Sequence, residues 1–509
     1  MKDSIQKETS KHSFILMLFT LLSRLLGIVK ARVITTAFGA TIIADVINTA
    51  YYLPNNLRKL FAEGAMNTAF IPFLAKTDDK NERSKLLSLM LSFQLILFAL
   101  LIFVFILFGT QIFDFISDFG EEGTDLGGKI FPYFIGFLAL ISLSNVLASL
   151  LQVDKKFLVY GIAPLFFSII LIFSVYIFSD RLGAQSMAYG VVLGSLTQFI
   201  FTLIFVIKLN YRIKFSLLFN DREFNKVLKV WAQVIISNLA ILASQQFSAY
   251  LSTTLATGSA TAFSNSMIFF STPYGIIFTG IATVSFPQLS EHFSKGNIKE
   301  FKSSLSYAID GMLYMFIPAT IILMTLSRES IAVVLQNGKF TYADTLLTSS
   351  VLFHFLFGLT IIGINGLMIR AAIAQNKVKL SLKVIIIQSI IDVAFSVGLI
   401  KAGVGIKSLA IANNIAASIS LVVYFIILRD SIEFKHLLKT LNKTIIVNLP
   451  LTLLLIIYYK TNPVWFINGS NLKNFSIFAL IGFICASITL FMYFITKIPI
   501  LNFITRKKK

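Results

Sequence analysis

The sequence predicts an all-α membrane protein that crosses the bilayer many times, and two observations support this fold class. Of the 509 residues, 56% are hydrophobic and only 13% are charged, whereas about 25% of a soluble domain is charged. Apolar runs about 20 residues long recur along the chain, and a helix of that length spans a bilayer. The composition excludes a soluble enzyme, a disordered chain and a coiled coil. The continuous runs exclude a transmembrane β-barrel, whose strands alternate.

Fourteen apolar runs are predicted to be transmembrane helices. They lie at 13–39, 43–75, 86–109, 130–152, 157–179, 185–207, 227–251, 259–288, 304–326, 346–372, 379–400, 404–428, 444–459 and 474–496. We expect two six-helix lobes at 1–210 and 211–430. The segment 431–509 then holds a C-terminal pair of helices and a basic tail.

The basic residues predict the orientation of these helices. Of the 44 Lys and Arg residues, 29 fall in every second connection and at the two ends, 8 fall in the remaining connections, and the other seven fall inside spans. Cytoplasmic segments carry the excess of Lys and Arg, so both termini are expected in the cytoplasm. Most of the net charge of +20 is therefore expected to lie near the membrane lipid headgroups, and nucleic acid is not expected as a partner.

No cofactor and no metal site built from cysteines or histidines is predicted. Cys485 is the single cysteine, and the four histidines do not have the spacing of metal ligands. The chain carries no nucleotide-binding motif, and no covalent chemistry or enzymatic activity is expected.

The first two predicted spans carry an unusual amount of charge. Five basic residues lie inside them: Arg24, Lys30, Arg32, Arg58 and Lys59. Asp45 and Glu63 are the acidic residues in the same two spans, so the formal charge is +3. Charges at this depth are costly in lipid, and we therefore predict a water-filled cationic cavity that receives a polyanion. The alternative is an internal ion pair between Arg58 and Glu63, with Lys59 reaching the membrane surface.

Two spans are interrupted at similar places. Span two contains Pro54, Gly64 and Pro72, and span eight contains Pro273 and Pro287. Broken apolar segments at corresponding positions of two halves indicate a transporter built from repeats.

Span eleven offers a candidate site for a coupling ion. Gln388 and Asp392 are one helical turn apart, and Asn413 and Asn414 follow in span twelve. Carboxylate and amide oxygens suit a hard monovalent cation or a proton, so Na⁺ (with Asp392 as a metal ligand) or H⁺ is the candidate ion. The alternative is a hydrogen-bonded structural Asp.

The motifs of the first two spans resemble a known family. Ser23-Arg-Leu-Leu-Gly27, Leu53-Pro-Asn-Asn-Leu-Arg-Lys-Leu-Phe-Ala-Glu-Gly-Ala65 and Ala69-Phe-Ile-Pro72 are similar to those of the MurJ (MviN) family of lipid II flippases in the MOP exporter superfamily. The resemblance implies export of undecaprenyl-diphosphate-linked disaccharide pentapeptide, lipid II, across the bacterial inner membrane by alternating access. It places the chain in peptidoglycan synthesis and cell-shape maintenance, with cell-wall synthesis enzymes as further candidate partners.

The resemblance also assigns roles to individual positions. Arg24 and Arg58 match basic residues that the family needs, Lys30 stands where the family usually has Arg, Asp45 and Glu63 match family acids, and Gln388 and Asp392 resemble a sodium site of some members. In span eight, Ile268 stands where a functional Arg is usual. We therefore expect the substrate to load mainly on the first lobe, with Asn265 as a polar contact from the second.

Two other functions are compatible with the sequence. The chain could be another MOP-type transporter, for a different polyprenyl-linked glycan or for drugs, although a drug exporter should have a less basic cavity. It could also be a non-transporting membrane scaffold of envelope synthesis, which would not need five basic residues in two spans.

Overall fold

A computed structural model describes residues 19, 22–64, 69–467 and 471–498, apart from the side chains at 62–64, 237 and 471. Every regular element within these ranges is helical, which confirms the predicted fold class. Packing divides the chain into two units: Met1–Thr261 with Asn337–Phe340, and Ala262–Gln336 with Thr341–Lys509. The lobe boundaries predicted at 210 and 430 follow span numbers instead, and they stay a prediction.

The helices of the first unit pack around one central helix. They are α1 (22–38), α2 (Ile42–Arg58), a π-helical turn (Lys59–Gly64), α3 (Ile71–Leu74), α4 (Lys80–Ile116), α5 (Gly120–Val153), α6 (Phe157–Leu182), α7 (Gln185–Lys208) and α8 (Arg222–Thr253). The central helix is α5, which packs against α2, α4 and α7. Its phenylalanines, among them Phe131 and Phe134, are fully buried. The side chains of α1 and α2 are therefore held against a rigid apolar core.

The second unit contains the remaining helices. They are α9 (Ser259–Ser294, whose first turn belongs to the first unit), α10 (Ile298–Thr325), α11 (Ser327–Leu335), α12 (Tyr342–Phe357), α13 (Leu359–Ala374), α14 (Val378–Lys401), α15 (Lys407–Ile427), α16 (Phe434–Val447), α17 (Leu449–Lys460) and α18 (Asn471–Ile495). Helices α10, α13, α14 and α15 pack against one another, and small residues such as Gly363 and Ala417 bring them close together.

The predicted spans can be compared with helices long and apolar enough to cross a membrane. Nine such helices lie in the described part of the chain, and three bent helix pairs raise the number to twelve. These twelve match the predicted spans from 86–109 onward. The first two predicted spans, 13–39 and 43–75, extend beyond the described ranges. The count of fourteen therefore stays a prediction.

Predicted span ten is bent by 46° between α12 and α13. The amide of Gly358 bonds to the carbonyl of Phe355 at 3.0 Å, and the carbonyl of His354 instead accepts a hydrogen bond from Nδ2 of Asn414 at 2.6 Å. A Cβ at position 358 would lie 1.9 Å from Oδ1 of Asn414. The close approach of the Asn414 amide therefore favours glycine at 358, and Asn414 supplies the partner that a carbonyl inside a bilayer needs.

The interruption predicted in span two is a π-helical turn. Helix α2 contains Pro54, and the turn Lys59–Gly64 follows it. The carbonyl of Phe61 within this turn accepts a hydrogen bond from the indole of Trp231 at 3.2 Å, and the two rings lie 5.6 Å apart. Single π-turns often mark functional sites, and this one places Arg58 and Lys59 where the helical register changes.

Candidate functional site

The predicted basic cluster lies on two helices of the first unit. Arg24, Lys30 and Arg32 are on α1, Arg58 is the last residue of α2, and Lys59 is the first of the π-turn. Arg24 and Arg32 are eight residues apart, or about 12 Å along a helix. The side chains are partly buried, except that of Lys59, which is exposed. Arg24, Lys30 and Arg32 are thus spread along the length of α1 rather than gathered at one level of the helix.

Lys30 is held by aromatic rings. Its Nζ lies 5.1 Å from the ring centroid of Tyr51 and 5.8 Å from that of Phe167, and 3.5 Å from the hydroxyl of Tyr51. An ammonium over a ring face is stabilised by about 0.5–2 kcal/mol, more when it is desolvated. This pairing could not be predicted from the sequence, because Phe167 is far from Lys30 along the chain and buried phenylalanines are common here.

The contacts of Lys59 and Glu63 are relevant to the alternative in which Arg58 pairs with Glu63 and Lys59 reaches the membrane surface. Nζ of Lys59 donates to Oδ1 of Asn56 at 3.0 Å, one turn back on α2. Asn56 itself is buried. The side chain of Glu63 lies outside the described residues. An ion pair between Arg58 and Glu63 therefore stays an open alternative.

Asp45 caps a helix within the first unit. Its carboxylate accepts hydrogen bonds from the amides of Gly258 at 2.6 Å and Thr261 at 2.7 Å, and Nδ2 of Asn48 donates to Oγ1 of Thr261 at 3.2 Å. Asp45 is buried, so its charge is balanced by backbone N–H groups and by the positive end of the helix dipole of α9. A direct contact between Asp45 and substrate stays a prediction.

The second unit presents polar but uncharged groups at the predicted substrate positions. Asn265 is buried, and its Nδ2 has no hydrogen-bond partner among the described residues. Ser266 donates to the carbonyl of Thr348 at 2.9 Å. Helix α9 contains no Lys or Arg, and Ile268 is partly buried on it. Asn265 is therefore a polar group that a substrate could satisfy.

The predicted ion site lies on α14. Asp392 is buried, whereas Oε1 of Gln388 accepts a hydrogen bond from Asn365 at 3.2 Å. Asn365 in turn accepts one from Ser420 at 3.2 Å. The hydroxyl of Ser396, one turn after Asp392, is buried without a hydrogen-bond partner in the described ranges. Ser396 was not predicted as part of the ion site, although the spacing 388, 392, 396 puts all three side chains on one helix face.

The oxygen types on this helix face suit a hard monovalent cation. Asp392 offers a carboxylate, Ser396 a hydroxyl, and Gln388 a carbonyl oxygen with a second lone pair. No group of three or more His, Cys, Asp or Glu side chains that could hold a metal ion occurs in the part of the chain that the structure describes. One carboxylate with hydroxyl and amide oxygens is a set that suits an alkali cation or a proton.

Comparisons with known proteins agree with this architecture. The family model described as "Lipid II flippase MurJ" matches residues 34–483. A protein of Borreliella burgdorferi named "Probable lipid II flippase MurJ" is 31% identical over 94% of this chain and 96% of its own length. A protein of Treponema pallidum with the same name is 26% identical over 72% of each chain.

Solved structures show the same fold. A lipid II flippase MurJ in an inward closed conformation superposes with a TM-score of 0.75 at 23% identity, covering 93% of this chain and 98% of that one. An inward-facing multidrug resistance MATE transporter of the MOP superfamily gives a TM-score of 0.64 at 14% identity, covering 84% of this chain and 99% of that one. The breadth of the family match and the identity to the Borreliella protein place the chain in the MurJ family.

Proposed function

We propose that this protein moves lipid II from the cytoplasmic to the outer leaflet of the bacterial inner membrane. The observation that carries the proposal is the formal charge of +3 in the first two predicted spans, in a chain of the MurJ family. Lipid II carries a diphosphate, and basic groups in a partly dehydrated site bind phosphate strongly. A water-filled cationic path would let this headgroup cross while the polyprenyl tail stays in lipid.

The arginines and the lysine would bind the phosphate groups in different ways. Arg24 and Arg58 can each grip a phosphate with two parallel N–H groups, whereas Lys30 acts as a point charge. The aromatic rings around Lys30 fix that charge without neutralising it. Because the cations are spaced along α1, the diphosphate could pass from one to the next without crossing a neutral gap.

The transport cycle we propose is alternating access. Structures of this fold include inward-facing and outward-facing conformations of multidrug resistance MATE transporters, so the fold supports both openings. No bond is made or broken in this cycle, and we propose no enzymatic activity. Membrane lipids and cell-wall synthesis enzymes are the further proposed partners, and both termini are proposed to lie in the cytoplasm.

Coupling to an ion gradient would use the α14 site. Asp392 with Gln388 and Ser396 would bind Na⁺ or H⁺ on one side of the membrane and release it on the other. One charge that moves through 100 mV contributes about 2.3 kcal/mol, which is enough to bias the cycle in one direction.

Depletion in the native cell tests the function. We expect lipid II to accumulate on the cytoplasmic face after depletion, measured by its accessibility to an external enzyme that cleaves or labels it. Wild-type protein should restore outer-face lipid II, whereas a variant carrying Arg24→Ala and Arg58→Ala at matched expression should not. Accumulation of a different lipid-linked glycan would instead favour the alternative MOP-type transporter, and unchanged sidedness would favour a scaffold.

A further inference from the structure

The first unit has a second cationic feature, at the end of α1 opposite to Arg24. A cavity of about 300 Å³ opens there, within the size range of small-ligand pockets. Its polar lining comes from Arg32, Thr36, Tyr176, Ser179, Asp180, Asn337 and Lys339. All of these residues belong to the first unit.

The cavity brings together three segments that the charge pattern places on the outer side of the membrane. Arg32 lies in the last two turns of α1, Asp180 at the end of α6, and Lys339 in the connection between α11 and α12. Their convergence on one cavity agrees with a common side. The formal charge of Arg32, Lys339 and Asp180 is +1, and the hydroxyl and amide groups around them are hydrogen-bond donors.

Lys339 is held at this cavity by a short segment, Asn337–Phe340, which we call the strap. The amide of Lys339 donates to the carbonyl of Thr36 at 3.0 Å, and Nδ2 of Asn337 lies 3.4 Å from Oγ1 of Thr36. The ring of Phe340 is fully buried and anchors the far end. The lysine side chain itself is exposed, so a fixed backbone presents a solvent-accessible ammonium.

Two glycines allow the strap to pack closely against the end of α1. Gly39 and Gly338 have φ of +64° and +57°, in the left-handed region that side chains disfavour. A Cβ on Gly39 would lie 2.6 Å from the carbonyl oxygen of Lys339, and a Cβ on Gly338 would lie 2.5 Å from that of Thr36. Each segment therefore needs a glycine to admit the backbone of the other.

We propose that Arg32 and Lys339 form an outer phosphate-binding site, which takes a lipid-linked phosphate at the outer membrane surface. This inference rests on the proposed function, in which a diphosphate leaves the deep cations Arg24 and Arg58 and must be released outward. Arg32 is one helical turn before Thr36, the residue of α1 that accepts the hydrogen bond from the strap, so the site lies at the outer end of that path. The phosphate could belong to the transported diphosphate or to a bilayer phospholipid.

Binding of a soluble prenyl diphosphate tests the site. The full chain carrying Arg24→Ala and Arg58→Ala, so that the deep cations do not contribute, is placed in phosphatidylcholine nanodiscs and titrated with farnesyl diphosphate by calorimetry. Adding Lys339→Gln should weaken binding roughly tenfold or more, the usual loss for one charge-assisted contact. Gly338→Val, which displaces the strap, should act in the same direction. Lys401→Gln, at another exposed lysine predicted on the outer side, should change nothing.

Two further arms identify the source of the phosphate. Phosphatidylglycerol is added to the nanodiscs: competition with farnesyl diphosphate at Lys339 assigns the site to bilayer phospholipid, and lack of competition assigns it to the transported diphosphate. The site would be refuted if Lys339→Gln weakened the binding of farnesol, which has no phosphate, as much as that of farnesyl diphosphate. Equal effects of Lys339→Gln and Lys401→Gln on binding would also refute it. If Lys339→Gln leaves the affinity for farnesyl diphosphate unchanged while the wild-type chain transports lipid II, this inference alone is refuted. A wild-type chain that moves no lipid II would refute the proposed function.

Discussion

The two units differ in how they present polar groups to a substrate. The first unit places five cations on α1, α2 and the π-turn, while the second offers the amide of Asn265 and the hydroxyl of Ser266 on a helix with no Lys or Arg. Charge attracts a diphosphate from a distance and holds it strongly, whereas neutral groups add contacts only at close range. Charged groups can therefore provide the affinity for substrate, while neutral groups provide the contacts made when the transporter closes around it.

The largest expected effect comes from removing charge from the first unit. Arg24→Ala should abolish outer-face lipid II, because no neutral group replaces a bidentate phosphate contact. Asn265→Leu should slow transport only several-fold, because it removes a neutral contact of roughly 1 kcal/mol. Both are measured by lipid II accessibility at matched expression, with Lys383→Ala, an exposed lysine on α14, as the control. The reverse order of severity would mean that the second unit dominates binding.

The next effect concerns the acid that offsets the first unit's charge. Asp45→Ala leaves the amides of Gly258 and Thr261 without their acceptor, and should lower the stability of the protein by about 2 kcal/mol. Asp45→Asn keeps one acceptor and should lose less. Thermal unfolding in detergent measures both. If Asp45→Ala unfolds like wild type but transports nothing, then Asp45 belongs with the substrate contacts rather than with the helix cap.

A smaller effect is expected at the proposed ion site of the second unit. Asp392→Asn should reduce transport several-fold and change its dependence on Na⁺ or pH, because the carboxylate is the charged ligand of the proposed ion site. Ser396→Ala should shift the same ion dependence more weakly. Transport is followed in vesicles at fixed membrane potential with Na⁺ or pH varied. A wild-type rate and ion response for Asp392→Asn would reduce Asp392 to a structural acceptor.

The smallest expected effect comes from a carboxylate of the second unit outside the predicted spans. Glu329 on α11 is buried, and its Oε1 accepts a hydrogen bond from the hydroxyl of Tyr458 at 3.3 Å. Burial raises the pKa of Glu329 above its usual value, although Arg328 opposes the shift.

The sign of this shift fixes the direction of the pH dependence. A carboxyl whose pKa is raised by folding stabilises the protein in its protonated form, and that contribution is lost as pH rises from the unfolded pKa of about 4.3 through the folded pKa. Glu329→Gln should flatten this slope in thermal unfolding measured at pH 4–8. An unchanged slope would show that Arg328 and Tyr458 compensate the burial.

The sequence was enough for the fold class and for twelve of the helices, because apolar length and the lysine and arginine bias are local signals. It was also enough to expect an interruption in span two, which the turn Lys59–Gly64 provides, and to note that Ile268 replaces a basic residue. It could not find the amides that bind Asp45, because more than two hundred residues separate them and backbone groups carry no sequence label. Nor could it pair Asn365 with Gln388, because 23 positions separate the two side chains and they lie on different helices. Ser396, in contrast, was within reach of the simple four-residue spacing.

The bend at Gly358 has a consequence for how the family can vary. Gly358 and Asn414 are in contact although 56 positions separate them. A larger residue at 358 would push the Asn414 amide aside, and loss of Asn414 would leave the carbonyl of His354 without this hydrogen bond. In a straight helix the amide of residue 358 would satisfy that carbonyl, and the asparagine would then be a buried amide without a role. We therefore expect the two positions to covary among relatives, with glycine and asparagine inherited together or replaced together.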